Sequence, residues 1–321
     1  MKDTILFGDC RETLSAFLPQ SARMCVTSPP YYGLRDYGGE EQQIGQEQTP
    51  EEFVDQLVSV FREVRNVLTD DGTCWVNIGD SYYNYRPGKG QSYPKQSVSK
   101  TKQDLPDKCN KRGNKLQGLK EKDLIGIPWL FAFAMRKDGW YLRQDIIWHK
   151  PNPMPESVKD RCTKAHEYIF LFSKNKKYFY DNEAIKEPAT DWGTRDRSKG
   201  KYKVNDYGQT PHSGLTKSYL TKNKRSVWSV TKKPYKEAHF ATYPPDLIEP
   251  CIKAGSEVGD TIIDPFMGSG TSAMVAKSLG RYYLGCELNE DYGNLIKKRI
   301  QDYHPVQEVS QEPCINILDI I

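Results

Sequence analysis

Thr261-Ile-Ile-Asp-Pro-Phe-Met-Gly-Ser-Gly-Thr-Ser-Ala273 is the most informative stretch of the chain. It reads as a short apolar strand, a glycine turn and the first residues of a helix. Gly268, Gly270 and Ala273 satisfy G-x-G-x-x-G/A, the spacing that lets backbone turn tightly and approach a bound ligand. Glu287 closes the next apolar run, at about the ~20-residue spacing of an acid that binds ribose hydroxyls. A nucleoside-containing cofactor is the expectation. The glycines alone would equally suit a dinucleotide, or be an ordinary tight turn. Two details point away from a dinucleotide: Asp264 sets a carboxylate at the strand end, suited to a cationic amino-acid tail, and the segment lies near the C-terminus.

On either side of it, short β-rich runs alternate with helical stretches, as in a mostly parallel sheet covered by helices. Strands are expected at 4–8, 24–27, 73–78, 144–148, 168–172, 261–263 and 282–286. The clearest helix is 50–68, where Thr49 and Glu52 form a capping box, Pro50 occupies the first turn and Phe53, Leu57, Val60, Phe61, Val64 and Leu68 make one apolar face. Asp70, Asp71 and Gly72 are read as its stop. Further helices are expected at 124–137, 245–254, 271–279 and 291–302.

The chain of 321 residues is long enough for one large α/β domain or two smaller ones. Its eight cysteines contain no C-x-x-C pair, which argues against a zinc site and a secreted disulfide framework and fits reduced thiols in a cytosol. No apolar run is long enough for a signal peptide or a membrane span. Net charge is +4, unevenly placed. Residues 81–122 hold eleven Lys/Arg against three Asp/Glu, and residues 186–236 hold thirteen against four. The rest of the chain is therefore acidic. Two basic inserts on an acidic body suit a polyanion partner, because Lys and Arg neutralise phosphates and release counterions. Tyr82, Tyr83, Tyr85, Tyr93, Trp192, Tyr202, Tyr207, Tyr219 and Trp228 are interleaved with these charges and are candidates for stacking on bases. Solvated loops would explain either insert alone; the pair, beside the motifs, favours DNA. Arg195, Arg197, Lys199, Lys201, Lys224 and Arg225 are the candidate DNA-contacting cations.

Met24-Cys-Val-Thr-Ser-Pro-Pro-Tyr-Tyr32 is a strand that runs into Ser28-Pro29-Pro30-Tyr31. The prolines fix φ and remove two donors, leaving rigid carbonyls at the sheet edge where open α/β sheets hold ligands. A base amino group is a poor nucleophile, since its lone pair is delocalised into the ring. If Ser28 Oγ and the Pro29 carbonyl accept its two hydrogens, the nitrogen can pyramidalise and attack a sulfonium methyl. Tyr31 would stack on the base, which must leave the duplex to arrive there. Standing alone, the tetrapeptide would be a proline-stiffened turn.

Thr27-Ser-Pro-Pro-Tyr31 and Asp264-Pro-Phe-Met-Gly-Ser-Gly-Thr271 together resemble the catalytic and cofactor motifs of amino-group DNA methyltransferases of the permuted β class. The resemblance covers most of the chain and includes Leu6-Phe-Gly-Asp9, the segment 72–81, Trp148-His-Lys-Pro-Asn-Pro153, His166-Glu-Tyr-Ile-Phe170 and His239-Phe-Ala-Thr-Tyr-Pro244. It implies an α/β, Rossmann-like, circularly permuted S-adenosylmethionine-dependent fold, with a seven-stranded mostly parallel sheet and one reversed strand. It implies cofactor contacts from Asp9 (to the adenine), Asp264, Pro265, Phe266, Gly268, Ser269, Gly270, Thr271 and Glu287. Residues 1–186 and 237–321 would be the catalytic domain, with 81–122 as a basic loop, and 187–236 the target-recognition region. Double-stranded DNA is the implied partner; a cognate restriction endonuclease, the oligomeric state and the role of the tail 304–321 stay open.

Ser28 resembles the cytosine-N4 subgroup, whereas Asp or Asn there is usual for adenine N6. Asn77 or Asp80 could support the N3 edge of cytosine, or simply cap a turn. Adenine N6 and an RNA amino group stay as alternatives. Methylation at cytosine C5 would need a nucleophilic Cys, but Pro250-Cys251 lies in an expected helix and Pro313-Cys314 in the tail. A dinucleotide oxidoreductase would be told apart by binding NAD rather than S-adenosylmethionine, and a non-catalytic DNA-binding module by failing to methylate DNA.

Overall fold

A computed structural model describes residues 2–33, 43–83, 116, 118–189, 220–232 and 243–302. In chain order the strands are β1 (Thr4–Phe7), β2 (Ala22–Thr27), β3 (Leu68–Ile78), β4 (Tyr141–His149), β5 (His166–Ser173), β6 (Glu187–Pro188), β7 (Thr221–Lys222), β8 (Val227–Ser229), β9 (Thr261–Asp264) and β10 (Tyr282–Glu287). The helices are α1 (Cys10–Thr13), α2 (Pro50–Val67), α3 (Ile127–Lys137), α4 (Pro245–Gly255), α5 (Thr271–Ser278) and α6 (Tyr292–Asp302).

Eight strands form one sheet in the order β1-β10-β9-β2-β3-β5-β4-β8, and β6 pairs separately with β7. β5 runs antiparallel to β3 and β4, while the other neighbours pair in parallel. All seven expected strands are present, with one reversed. The eighth, β8, adds three residues to the far edge from within the segment read as target recognition. That segment is therefore partly built into the catalytic sheet.

The central strands β2, β3 and β9 are covered on both faces, as parallel strands between two helix layers are, whereas β1, β4 and β8 towards the edges keep exposed residues. Successive residues alternate between two cores: Cys25, Cys74, Val76, Phe170 and Phe172 face α2 and α3, while Met24, Val26, Trp75, Ile169 and Leu171 face α4 and α5. The α2 capping box forms as read, with Thr49 Oγ1 accepting from the Glu52 amide at 3.1 Å and the Glu52 carboxylate accepting from the Thr49 amide at 3.2 Å. The helix stops at Val67, before the acidic pair. Leu68 already pairs with Ala22, and Asp70–Gly72 fall in the register shift of β3. Tertiary pairing, rather than the turn residues, ends the helix.

Candidate active site

Because β1, β10, β9, β2, β3 and β4 point the same way, their carboxyl ends share one edge. That edge gathers Asp9, Glu287, the 264–270 loop, Ser28–Tyr31, Asp80 and Lys150; Glu167 joins from the start of the reversed β5. The motifs separated by more than two hundred residues are brought together by adjacency of β2 and β9, whose Cys25 and Ile263 pair.

The cofactor loop is held from three sides. Gly270 sits at φ 80°, where an added Cβ would stand 2.7 Å from Ile296 Cγ2, so α6 packs directly on its backbone. Glu287 Oε2 accepts the Gly268 amide at 2.7 Å, and Oε1 accepts the Asn289 amide at 2.9 Å. Burial pushes the Glu287 pKa up against these donors. Arg299 Nη1 donates to the Ser269 carbonyl at 2.9 Å and also to the Ser269 hydroxyl. Thr271 Oγ1 is buried without a hydrogen-bond partner among the described residues. An orphaned hydroxyl beside the glycine turn and a carboxylate with further lone pairs fit a nucleoside cofactor.

Asp264 departs from the sequence reading. It is 1% exposed and accepts from Thr27 Oγ1 at 2.5 Å, Ser272 Oγ at 2.5 Å, the Phe266 amide at 3.0 Å and Tyr243 OH at 3.3 Å. Burial raises its pKa, and the donated bonds oppose that rise. Four donors saturate the carboxylate, so it acts as a strut between the catalytic strand and the cofactor loop instead of facing a cationic tail. Asp9 is similarly engaged: its carboxylate caps α1 through the Arg11 amide at 2.8 Å and binds the Arg11 guanidinium. Burial works against the Asp9 charge, but Arg11 outweighs it and holds the pKa below the usual range.

Past the end of β2, Pro29 is buried and Ser28 and Tyr31 are half-buried. The Tyr31 ring lies on Gly79, where a Cβ would stand 2.6 Å from Cε2, so a larger residue there would displace it. Tyr31 OH donates to Glu167 Oε2 at 2.7 Å. Glu167 in turn forms an ion pair with Lys150, their side chains 16% and 6% exposed. Burial lowers the Lys150 pKa, which Glu167 counters. Asn77 Nδ2 donates to the Tyr168 carbonyl at 3.1 Å and lies 3.4 Å from Glu167 Oε2, so Asn77 belongs to this network. Asp80 does not. Its Oδ1 accepts the amides of Ser81, Gly126 and Ile127 at 2.9, 3.0 and 3.1 Å, which makes it the cap of α3.

Glu167 and Lys150 had no individual role in the sequence reading, although a Glu in the apolar run His166–Ser173 was the available signal. Lys224 and Arg225 both meet Glu187, at 3.9 and 3.0 Å. Burial opposes the Glu187 charge, but the Arg225 bonds hold its pKa down. Arg195, Arg197, Lys199 and Lys201 lie outside the described residues, as does most of both inserts. Tyr83 and Trp228 are 3% and 5% exposed, so they are core side chains and not stacking platforms. Cys251 is buried in α4, with its thiol pKa pushed far up by burial, and is no nucleophile. Among the described residues no His/Cys/Asp/Glu group could hold a metal, and no helix is long and apolar enough to cross a membrane.

The N6/N4 methyltransferase family model, described as DNA methylase, matches residues 22–298. The Type II methyltransferase M.XycI of Xanthomonas campestris pv. cyanopsidis is 46% identical over 298 residues, covering 93% of this chain and 87% of its own. The Type II methyltransferase M.SmaI of Serratia marcescens is 45% identical, covering 92% and 90%. Among solved structures, the cytosine-N4-specific PvuII DNA methyltransferase superposes with a TM-score of 0.61 at 19% identity, covering 95% and 88% of the two chains. A putative DNA modification methylase of Thermus thermophilus, solved with S-adenosyl-L-methionine, superposes with a TM-score of 0.56 at 25% identity, covering 92% of each. The chain belongs to the N6/N4 DNA methylase family and is an S-adenosylmethionine-dependent DNA amino-methyltransferase.

Proposed function

We propose that the protein methylates the exocyclic N4 of cytosine in double-stranded DNA, at one recognition sequence, by direct transfer to a base rotated out of the duplex. The observation that carries this reading is the seating of Ser28-Pro29-Pro30-Tyr31 beside the cofactor loop, joined to it by the Thr27–Asp264 bond. Ser28 Oγ and the Pro29 carbonyl accept the amino hydrogens, so the nitrogen lone pair leaves conjugation and attacks the methyl carbon as the carbon–sulfur bond breaks. A neutral hydroxyl suffices for cytosine. The N4-methylated nitrogen then carries positive charge, and passing one of its hydrogens as a proton to solvent water restores the neutral base. Asn77 and Glu167 present polar groups on the Tyr31 side of the pocket. Gly268, Gly270, Thr271 and Glu287 hold the cofactor, which supplies the methyl group as a sulfonium.

The name of the PvuII enzyme, cytosine-N4-specific, supports the base assignment. Residues 187–236 supply target recognition. Sequencing DNA from a host with and without the gene, by chemistry sensitive to amino methylation, should find N4-methylcytosine at one recurring sequence. N6-methyladenine at that recurring sequence would overturn the base assignment.

The basic inserts hold the phosphates. Replacing Lys199 and Lys201 by Ala should weaken binding to all sequences alike and flatten the salt dependence by roughly one unit of slope per lost phosphate contact. Replacing an Arg that reads guanine should instead relax specificity at one position. Binding insensitive to salt would count against both inserts.

A further inference from the structure

Residues 150–165 connect β4 to β5 without regular secondary structure, a length at which loops usually carry function. The loop leaves the sheet at the carboxyl end of β4, on the edge that holds the catalytic tetrapeptide. Its first residue, Lys150, pairs with the Glu167 that anchors Tyr31. Four residues on, Met154 is 74% exposed. Isolated exposed apolar residues are ordinary on protein surfaces; the setting of Met154 is what distinguishes it. Pro151, Pro153 and Pro155 stiffen the chain around it. The Asn152 side chain holds both backbone groups of Lys232, at 3.1 and 3.3 Å. Arg161 bonds Glu156 and lies 3.8 Å over the Tyr82 ring, Lys122 meets Asp160 at 2.7 Å, and Lys164 Nζ donates to the Asp80 carbonyl at 3.0 Å. The loop is thus clamped to the flanks of both basic inserts. Chain geometry keeps the Cα of Met154 within about 14 Å of that of Lys150.

We infer that Met154 is a wedge that enters the duplex and fills the space left when the target base rotates into the pocket. This rests on the base-flipping reading above. A flipped base leaves a gap in an apolar stack, and proteins that unstack duplexes insert Phe, Leu, Ile, Met or Pro. The thioether is apolar, polarizable and long enough to lie between bases. The clamps matter because a wedge on a loose loop would retreat instead of displacing a base.

The test uses the full chain, a cofactor analogue and duplexes carrying the methylated sequence found in host DNA. In one duplex a fluorescent cytosine analogue replaces the target; in another the target position is abasic. Met154→Ala should lose most of the fluorescence rise and bind the matched duplex about tenfold more weakly, while its affinity for the abasic duplex stays within about twofold of the wild-type value. Met154→Leu should restore both readouts. Unchanged flipping by Met154→Ala, or equal losses on both duplexes, would overturn the wedge. No fluorescence rise with the wild-type protein would overturn base flipping and the wedge with it.

Discussion

Ser28→Ala should slow single-turnover methyl transfer by about 10² to 10³-fold while S-adenosylmethionine affinity stays nearly unchanged. The size follows from removing one oriented polar group at a reacting centre. The direction follows from the placement of Ser28 just past the end of β2, on the side of the edge proposed to receive the base, while Gly268, Glu287 and Ser269 hold the 264–270 loop together without it. Rapid-quench transfer kinetics and equilibrium cofactor binding separate the two effects. Collapse of cofactor affinity with an intact chemical step would show that the division of labour is drawn in the wrong place.

Glu167→Ala should lower both stability and rate. It removes the counterion of Lys150, whose side chain is 6% exposed, and the acceptor of the Tyr31 hydroxyl. Breaking a buried pair from one side costs about 3–5 kcal/mol, because the remaining charge is stranded. Replacing both partners with apolar residues, Lys150→Met with Glu167→Leu, should recover most of that stability in urea unfolding. It should leave methyl transfer slow, since the Tyr31 hydroxyl still lacks its 2.7 Å acceptor on Glu167. A double variant that regains both stability and rate would reduce the pair to a packing element.

Much of this site is legible in the sequence because its determinants are local. The glycine turn at 268–270, the Thr49–Glu52 capping box and the proline-stiffened end of β2 are written in consecutive residues, and each is recovered with its expected geometry. What escapes is set by contacts distant in sequence. Asp264 reads as a ligand for a cation until Thr27, Ser272 and Tyr243 are seen to surround it. Asp80 reads equally as catalyst or cap until Gly126 and Ile127 arrive to be capped. Tyr83 and Trp228 sit in basic stretches and invite a nucleic-acid role, but their rings are buried; the Tyr83 hydroxyl accepts the Leu116 amide and the Trp228 indole N–H donates to the Arg225 carbonyl. β8 is three residues long and acquires its identity only from pairing with β4.

Direct methylation of cytosine N4 is testable on the purified protein with S-adenosylmethionine carrying a deuterated methyl group. After reaction with duplex DNA and digestion to nucleosides, mass spectrometry locates the label. All of it should appear in N4-methyldeoxycytidine. Label in N6-methyldeoxyadenosine would contradict the choice of base and leave amino methylation standing, whereas label in 5-methyldeoxycytidine would contradict the mechanism itself.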